Sequence, residues 1–337
     1  MNPKEASIRF GIDLGGTKTE IIGIEARNGK EIYRKRVPSP RDDYQATIQN
    51  MANLVMEAEK IIGRPGSVGV GIPGCISQDT GLVKNANSTW LNGNPLDQDL
   101  SKALSRPVKC ENDANCLAVS EATDGAGAGK NVVFAVIIGT GSGAGIFANG
   151  APVGGRNGIG GEWAHNPLPY KRMWPAPSDD HGVFEAIKAY EKIVSYGPGE
   201  EDREHPGPYC YCGKRGCLET WISGPGLKND YHRVNGEELS THDIIAAAEK
   251  GEPKAAAALA RYTDRLARGL SLVINVLDPD VIILGGGMGN IPSLYSDLPK
   301  IWGRYIFSDT VHTDLKPPRH GDSSGVRGAA WLWGRHG

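Results

Sequence analysis

Apolar positions along this chain fall into short blocks separated by glycine-rich breaks, and the blocks alternate between two periods. Residues 9–14 and 19–24 are compact apolar runs on either side of Gly15-Gly16-Thr17, so the chain opens as a hairpin-like unit. Residues 44–62 carry apolar side chains at 48, 51, 54, 55 and 58, the spacing of a helix with one buried face. A near-continuous apolar run at 67–72 predicts a buried strand ending at Pro73-Gly74, and 108–111 predicts another. A helix is predicted at 114–122, directly after Asn112-Asp113. Strands alternating with helices point to an α/β fold. Near Gly125 the pattern restarts, with a strand at 132–138, a glycine-rich turn at 139–143 and a strand at 144–148 stopping at Asn149-Gly150. Strand, Gly/Thr turn and strand thus occur twice in the same order, a weak internal repeat of two similar halves facing one another. Residues 170–209 break the rhythm as a polar, Pro- and charge-rich insertion with helical spacing at 183–194. Helical patterns resume at 243–261 and 255–277, a strand at 281–284 runs into Gly285-Gly286-Gly287, and a short helix is predicted at 326–333.

With 337 residues, the chain can form two domains with separate cores and a cleft between them. Its 37 basic and 39 acidic residues leave a formal charge of −2, which gives no electrostatic ground for a nucleic-acid or anionic-membrane partner and favours a small molecule. No leader pattern precedes the first motif, and apolar runs such as 132–138 are far below the ~18 residues of a membrane span, so a soluble, cytoplasmic protein is expected. Six cysteines in such a chain fit a reducing compartment, where clustered thiols bind metal more often than they pair. The 46 glycines are about twice the usual ~7% and predict backbone turns or close approach of backbone to ligand.

Three glycine turns follow strands. In Asp13-Leu14-Gly15-Gly16-Thr17-Lys18, the glycines open φ > 0 and bare the backbone N–H groups as an anion cradle, Thr17 adds a hydroxyl, Lys18 a cation, and Asp13 a carboxylate suited to hydrated Mg²⁺. An ordinary hairpin turn would use the same residues. Gly139-Thr140-Gly141 is a second cradle and Gly286-Gly287 belongs to a third, which together predict phosphate gripped between hairpins. Neither a Walker A sequence nor a dinucleotide fingerprint is present in a fitting context. Cys210, Cys212 and Cys217 form C-x-C-x4-C, and Gly213 and Gly216 let the backbone fold so that three thiolates meet one Zn²⁺; the fourth ligand is His205 or His165. Asn112 and Asp113 either cap the following helix or place Asp113 as a proton acceptor for phosphoryl transfer.

FGIDLGGTKTE, IIGTGSGAG, GIGGEWAHNPL and CYCGKRGCLE, in this order, resemble the ROK family of bacterial sugar kinases and repressors over residues 9–333. KNANSTWLNG (84–93), ENDANCLAVSEA (111–122) and RHGDSSGVRGAAWLW (319–333) are most similar to its fructokinases of the manno(fructo)kinase type. The resemblance implies an actin-like (ribonuclease H-like) two-domain α/β sugar kinase fold with an interdomain cleft, ATP and Mg²⁺ in that cleft, and a homodimer. The expected domains are 1–122, rejoined by a terminal helix at 322–337, and 123–321, carrying the zinc motif and the insertion. The expected reaction is phosphorylation of a hexose, D-fructose to fructose 6-phosphate, with mannose beside it. Carried over by residue, Asp113 is the general base, Asn87, Asn112, Glu162 and Glu219 contact sugar, and His165 is the fourth zinc ligand with its other nitrogen toward sugar. The alternatives are an N-acetylhexosamine or glucose kinase of the same family, and a non-catalytic sugar-binding sensor. A repressor would carry a helix-turn-helix domain before the glycine motif, where only 12 residues precede Asp13.

Overall fold

The computed structural model describes residues 2–171 and 204–334. Most of the 170–209 insertion, including the helical pattern at 183–194, lies outside the described residues. In chain order the elements are β1 (Ile8–Leu14), β2 (Lys18–Glu25), β3 (Glu31–Pro38), α1 (Tyr44–Ile62), β4 (Ser67–Ile72), β5 (Cys75–Ile76), β6 (Val83–Lys84), α2 (Leu96–Leu104), β7 (Val108–Asn112) and α3 (Asp113–Thr123). There follow β8 (Val132–Ile138), β9 (Ser142–Ala148), β10 (Ala151–Pro152), α4 (Glu219–Ile222), α5 (Gly224–Asn235), α6 (Thr241–Glu249), α7 (Pro253–Leu277), β11 (Val281–Gly285), α8 (Pro292–Ile301), β12 (Asp314–Lys316) and α9 (Ser324–Trp331). One five-stranded sheet has the order β3-β2-β1-β4-β7 and a second β10-β9-β8-β11-β12. The chain forms two compact units: Met1–Ala135 with Gly145–Gly161 and Pro318–Gly337, and Val136–Ala144 with Glu162–Pro317. Among the described residues no helix is long and apolar enough to cross a membrane.

In the first unit, β1 runs antiparallel to β2 and parallel to β4, and β4 runs parallel to β7. The two-residue alternation of a strand assigns each face its work. Ile8, Phe10, Ile12 and Leu14 of β1, with Val68, Val70 and Ile72 of β4, join Ile48, Met51 and Val55 of α1 in one core cluster. The opposite face meets α9, and there the strands carry glycine. A Cβ on Gly11 would fall on the Val326 carbonyl oxygen, one on Gly69 on that of Ala329, and one on Gly328 on that of Cys116 in α3. Gly11, Gly69 and Gly328 therefore serve close helix packing, a use the sequence did not announce, while glycines such as Gly63, Gly74 and Gly150 take the positive φ expected of turns and caps. Trp90 packs against the first cluster and donates Nε1–H to Thr47 Oγ1 at 3.3 Å, so its ring covers the core.

The pattern expected for 243–261 is broken by the structure. Gly251-Glu252-Pro253 ends α6 and starts α7, with Glu252 accepting the first backbone N–H groups of α7 and proline at its first turn. In the second unit, α7 buries Arg261, Asp264, Arg265 and Arg268. Arg265 and Arg268 hold Glu204, Arg261 and Arg265 hold Asp230, and Arg268 also meets Asp264. Glu204 therefore pins the segment that leads into the cysteine hairpin.

Candidate functional site

The hairpin of the second unit is built by its glycines. Gly213 and Gly216 adopt φ of 86° and 70°, a left-handed region that costs glycine little, and the turn closes through Cys210 N–H to the Lys214 carbonyl. Leu168 N–H donates to Gly216 O and Leu218 N–H to Asn166 O, which ties the hairpin to the 163–168 segment. A Cβ on Gly269 of α7 would press on Trp163 and Leu218, so α7 backs both segments.

These contacts bring His165, Cys210, Cys212 and Cys217 together, with one donor atom from each and all four within 4.8 Å of one another. Cys212 Sγ lies 3.6 Å from Cys217 Sγ, and Cys210 Sγ lies 3.6 Å from His165 Nδ1. A tetrahedral zinc with bonds of about 2.3 Å to sulfur and 2.0 Å to nitrogen sets neighbouring donors roughly 3.5–3.8 Å apart, so the set fits the ion. A disulfide would need sulfurs about 2.05 Å apart, and all three cysteines are free thiols. Burial and the neighbouring thiols push the Cys217 thiol up to about 12 and burial raises Cys210, while the Lys214 backbone N–H lowers Cys212. The imidazole that joins the thiols is His165; His205 instead stacks on Tyr170 with ring centroids 3.8 Å apart.

Around this cluster the remaining groups of the second unit converge. Glu162 precedes the short helical turn Trp163–His165, and its Oε2 lies 3.8 Å from His165 Nε2. Glu219 opens α4 two residues past Cys217, and its Oε2 accepts the Ser142 N–H at 2.9 Å. That bond joins the cysteine hairpin to the second glycine turn, where a Cβ on Gly141 would lie 2.9 Å from the same oxygen. The Gly139 carbonyl accepts the Gly224 N–H at 2.8 Å, and Thr140 is exposed at the tip. Gly286 has φ 77°, and its missing Cβ would strike Ile138, so the third turn lies against the end of β8 beside Gly287. Tyr211, unnoticed in the sequence, places its hydroxyl 3.0 Å from His165 Nε2.

In the first unit, Asp13 is the penultimate residue of β1 and Asp113 opens α3. Burial, then the charges of Asp113 and Glu20, raise Asp13 to about 6 against the opposing pull of Arg36. Asp113 Oδ1 accepts the Ala114 N–H at 2.8 Å. Asn112 Oδ1 accepts the Ala114 and Asn115 N–H groups, and Nδ2 donates to Gly74 O at 3.0 Å. Gly15 and Gly16 do not take positive φ as the sequence suggested; their close neighbours are the Lys18 carbonyl, 2.9 Å from a Gly15 Cβ, and Ser88 Oγ, 3.2 Å from a Gly16 Cβ. Exposed Asn87 thus adjoins a loop residue that touches the first turn, and Thr17 and Lys18 are exposed beside it. Ser39 Oγ donates to Gly15 O at 2.7 Å and Arg41 Nε to Gly16 O at 3.3 Å. Neither residue stood out in the sequence, because 39–41 is a polar Ser-Pro-Arg stretch without periodicity.

The ROK family model matches residues 9–336. This chain belongs to the ROK family. ROK relatives of nearly equal length include the N-acetyl-D-glucosamine kinase of Yersinia pseudotuberculosis, 39% identical over 96% of this chain and 98% of its own. The N-acetyl-D-glucosamine kinase of Escherichia coli is 35% identical over the same shares. Among solved structures, the ROK hexokinase of Thermus thermophilus superposes with a TM-score of 0.78 at 27% identity, covering 97% of each chain. The fold is therefore the actin-like, two-domain α/β fold of ROK sugar kinases.

Proposed function

We propose that this chain is an ATP-dependent sugar kinase that phosphorylates N-acetyl-D-glucosamine. The observation that carries the reading is the 39% identity, over 96% of the chain, to an enzyme of that activity. Fructose was expected from three short segments; likeness along the whole length favours the N-acetylhexosamine alternative instead.

The residues support the chemistry as follows. Attack of a sugar hydroxyl on the terminal phosphorus needs a carboxylate to take the hydroxyl proton and aim the oxygen. Asp113 suits that role, since it stands at the N-terminus of α3 and the Ala114 N–H orients it. Asp13, held up by burial and by the charge of Asp113, fits a site for Mg²⁺, because a divalent cation removes that repulsion. When bound, Mg²⁺ supplies neutralisation of phosphate charge. The turns with Gly15 and Gly16, Gly139 to Gly141, and Gly286 and Gly287 present backbone to the nucleotide. Zinc, held by His165, Cys210, Cys212 and Cys217, supplies rigidity. Bound there, zinc would tie together the loops of Glu162 and Glu219, whose carboxylates would accept hydrogen bonds from sugar hydroxyls.

ADP release measured with N-acetyl-D-glucosamine, N-acetylmannosamine, glucose, mannose and fructose tests the reading. The expected order puts N-acetyl-D-glucosamine first by kcat/KM. Fructose in first place would restore the fructokinase, and release with none of the sugars would leave a non-catalytic sensor.

A further inference from the structure

A tyrosine occupies the hydrogen-bonding position on which the sugar is expected. Tyr211 stands between Cys210 and Cys212, so the hairpin fixes its backbone, yet the residue is 82% exposed. Its hydroxyl lies 3.0 Å from His165 Nε2, with the two rings edge to face and their centroids 5.2 Å apart. His165 turns Nδ1 toward Cys210 Sγ, which leaves Nε2 as the proton-bearing nitrogen once Nδ1 ligates a metal. Nε2–H then donates to the tyrosine oxygen. The same nitrogen is 3.8 Å from Glu162 Oε2, so the imidazole donor and the carboxylate acceptor form one recognition pair, and its donor half is already taken.

We infer that Tyr211 is an internal competitor for the acceptor sugar: its hydroxyl takes the position on His165 Nε2, and a sugar hydroxyl displaces it. The inference rests on the kinase reading above and goes beyond it by naming a residue that sets sugar affinity. Displacement exchanges one hydrogen bond for another, and the exposed ring leaves by rotation about its own side-chain bonds without opening the core. Tyr211 therefore lowers affinity by the net worth of one hydrogen bond while leaving both carboxylates available.

The test compares wild type with Tyr211→Phe in the zinc-loaded full-length protein, by calorimetric N-acetyl-D-glucosamine affinity without ATP, by zinc content, and by KM and kcat. Phenylalanine keeps the ring and removes the competing hydroxyl. The expected result is a Kd about two- to tenfold lower, roughly 0.4–1.4 kcal/mol, with KM following it and zinc content equal. If Tyr211 only orients His165 for the metal, the variant binds sugar more weakly and holds less zinc. Equal or weaker affinity in Tyr211→Phe overturns the inference. A wild-type protein that binds none of the hexoses overturns the kinase reading itself, and this inference with it.

Discussion

Asn112 and Asp113 are adjacent, yet their surroundings divide the labour between them. Asn112 caps α3 and holds the Gly74 carbonyl, and Asp113 Oδ1 accepts the Ala114 N–H. Asp113→Asn should lower kcat by about 10²–10⁴ while circular dichroism shows the fold retained. Turnover near the wild-type rate in that variant would remove Asp113 from the mechanism. Asp13 carries the opposite kind of cost. Its folded-state pKa of about 6 lies above the ordinary 3.8, so the folded state binds this proton more tightly and loses stability as pH rises from about 4 to about 6. In metal-free protein at pH 7, Asp13→Asn should therefore raise stability by roughly 1–3 kcal/mol, measured by urea titration in chelator, while activity with Mg²⁺ collapses. A melting curve unchanged by the substitution would mean that Asp13 is not strained by its neighbours.

Among elements, the cysteine hairpin and the second glycine turn act together through Glu219 and Ser142. Glu219→Gln weakens a charge-assisted bond and should raise KM for ATP as well as for sugar, each roughly tenfold. A rise for sugar alone would show the two loops to be independent. The elements also explain what the sequence disclosed. Helix α1 and strands β4 and β8 were legible residue for residue, because each is buried in one consistent pattern and ends at a glycine turn or cap. Strand β3 was not: EIYRKRVP lies at the sheet edge, and Arg34 and Arg36 point their charges at Glu20, so no apolar alternation marks it. Helix α5 begins Gly-Pro-Gly, a breaker signal that Ser223 overrides by capping the Gly226 N–H. At the candidate site the ligand residue types were visible in CYCGKRGC, but the sequence left His205 and His165 as alternatives, since proximity along the chain does not encode which imidazole meets the thiols. Tyr211 was missed because its placement depends on a distant residue, His165.

On the scale of the molecule, each unit carries a carboxylate anchored by cations. Burial alone would raise Asp124 in the first unit, but His320 and Arg327 hold it at about 2; Arg265 and Arg261 do the same for Asp230 in the second. Both folded values lie below the ordinary 3.8, so this stabilisation is fully present above pH ~4 and is lost as pH falls from about 4 to about 2. Each is worth roughly 2 kcal/mol, so the wild-type protein should lose stability over that range in acid titrations followed by tryptophan fluorescence. Arg327→Met should weaken the first unit at neutral pH and flatten its acid dependence. A wild-type stability independent of pH between 2 and 4 would contradict both anchors.

Helix α9 packs on β1 and β4, strands translated hundreds of residues earlier, and the glycines at 11 and 69 leave a hollow into which its backbone fits. During synthesis this face of the first unit consequently stays only partly covered until residues 324–331 have been delivered. A nascent chain halted before residue 324 should be held by chaperones rather than released as a folded half.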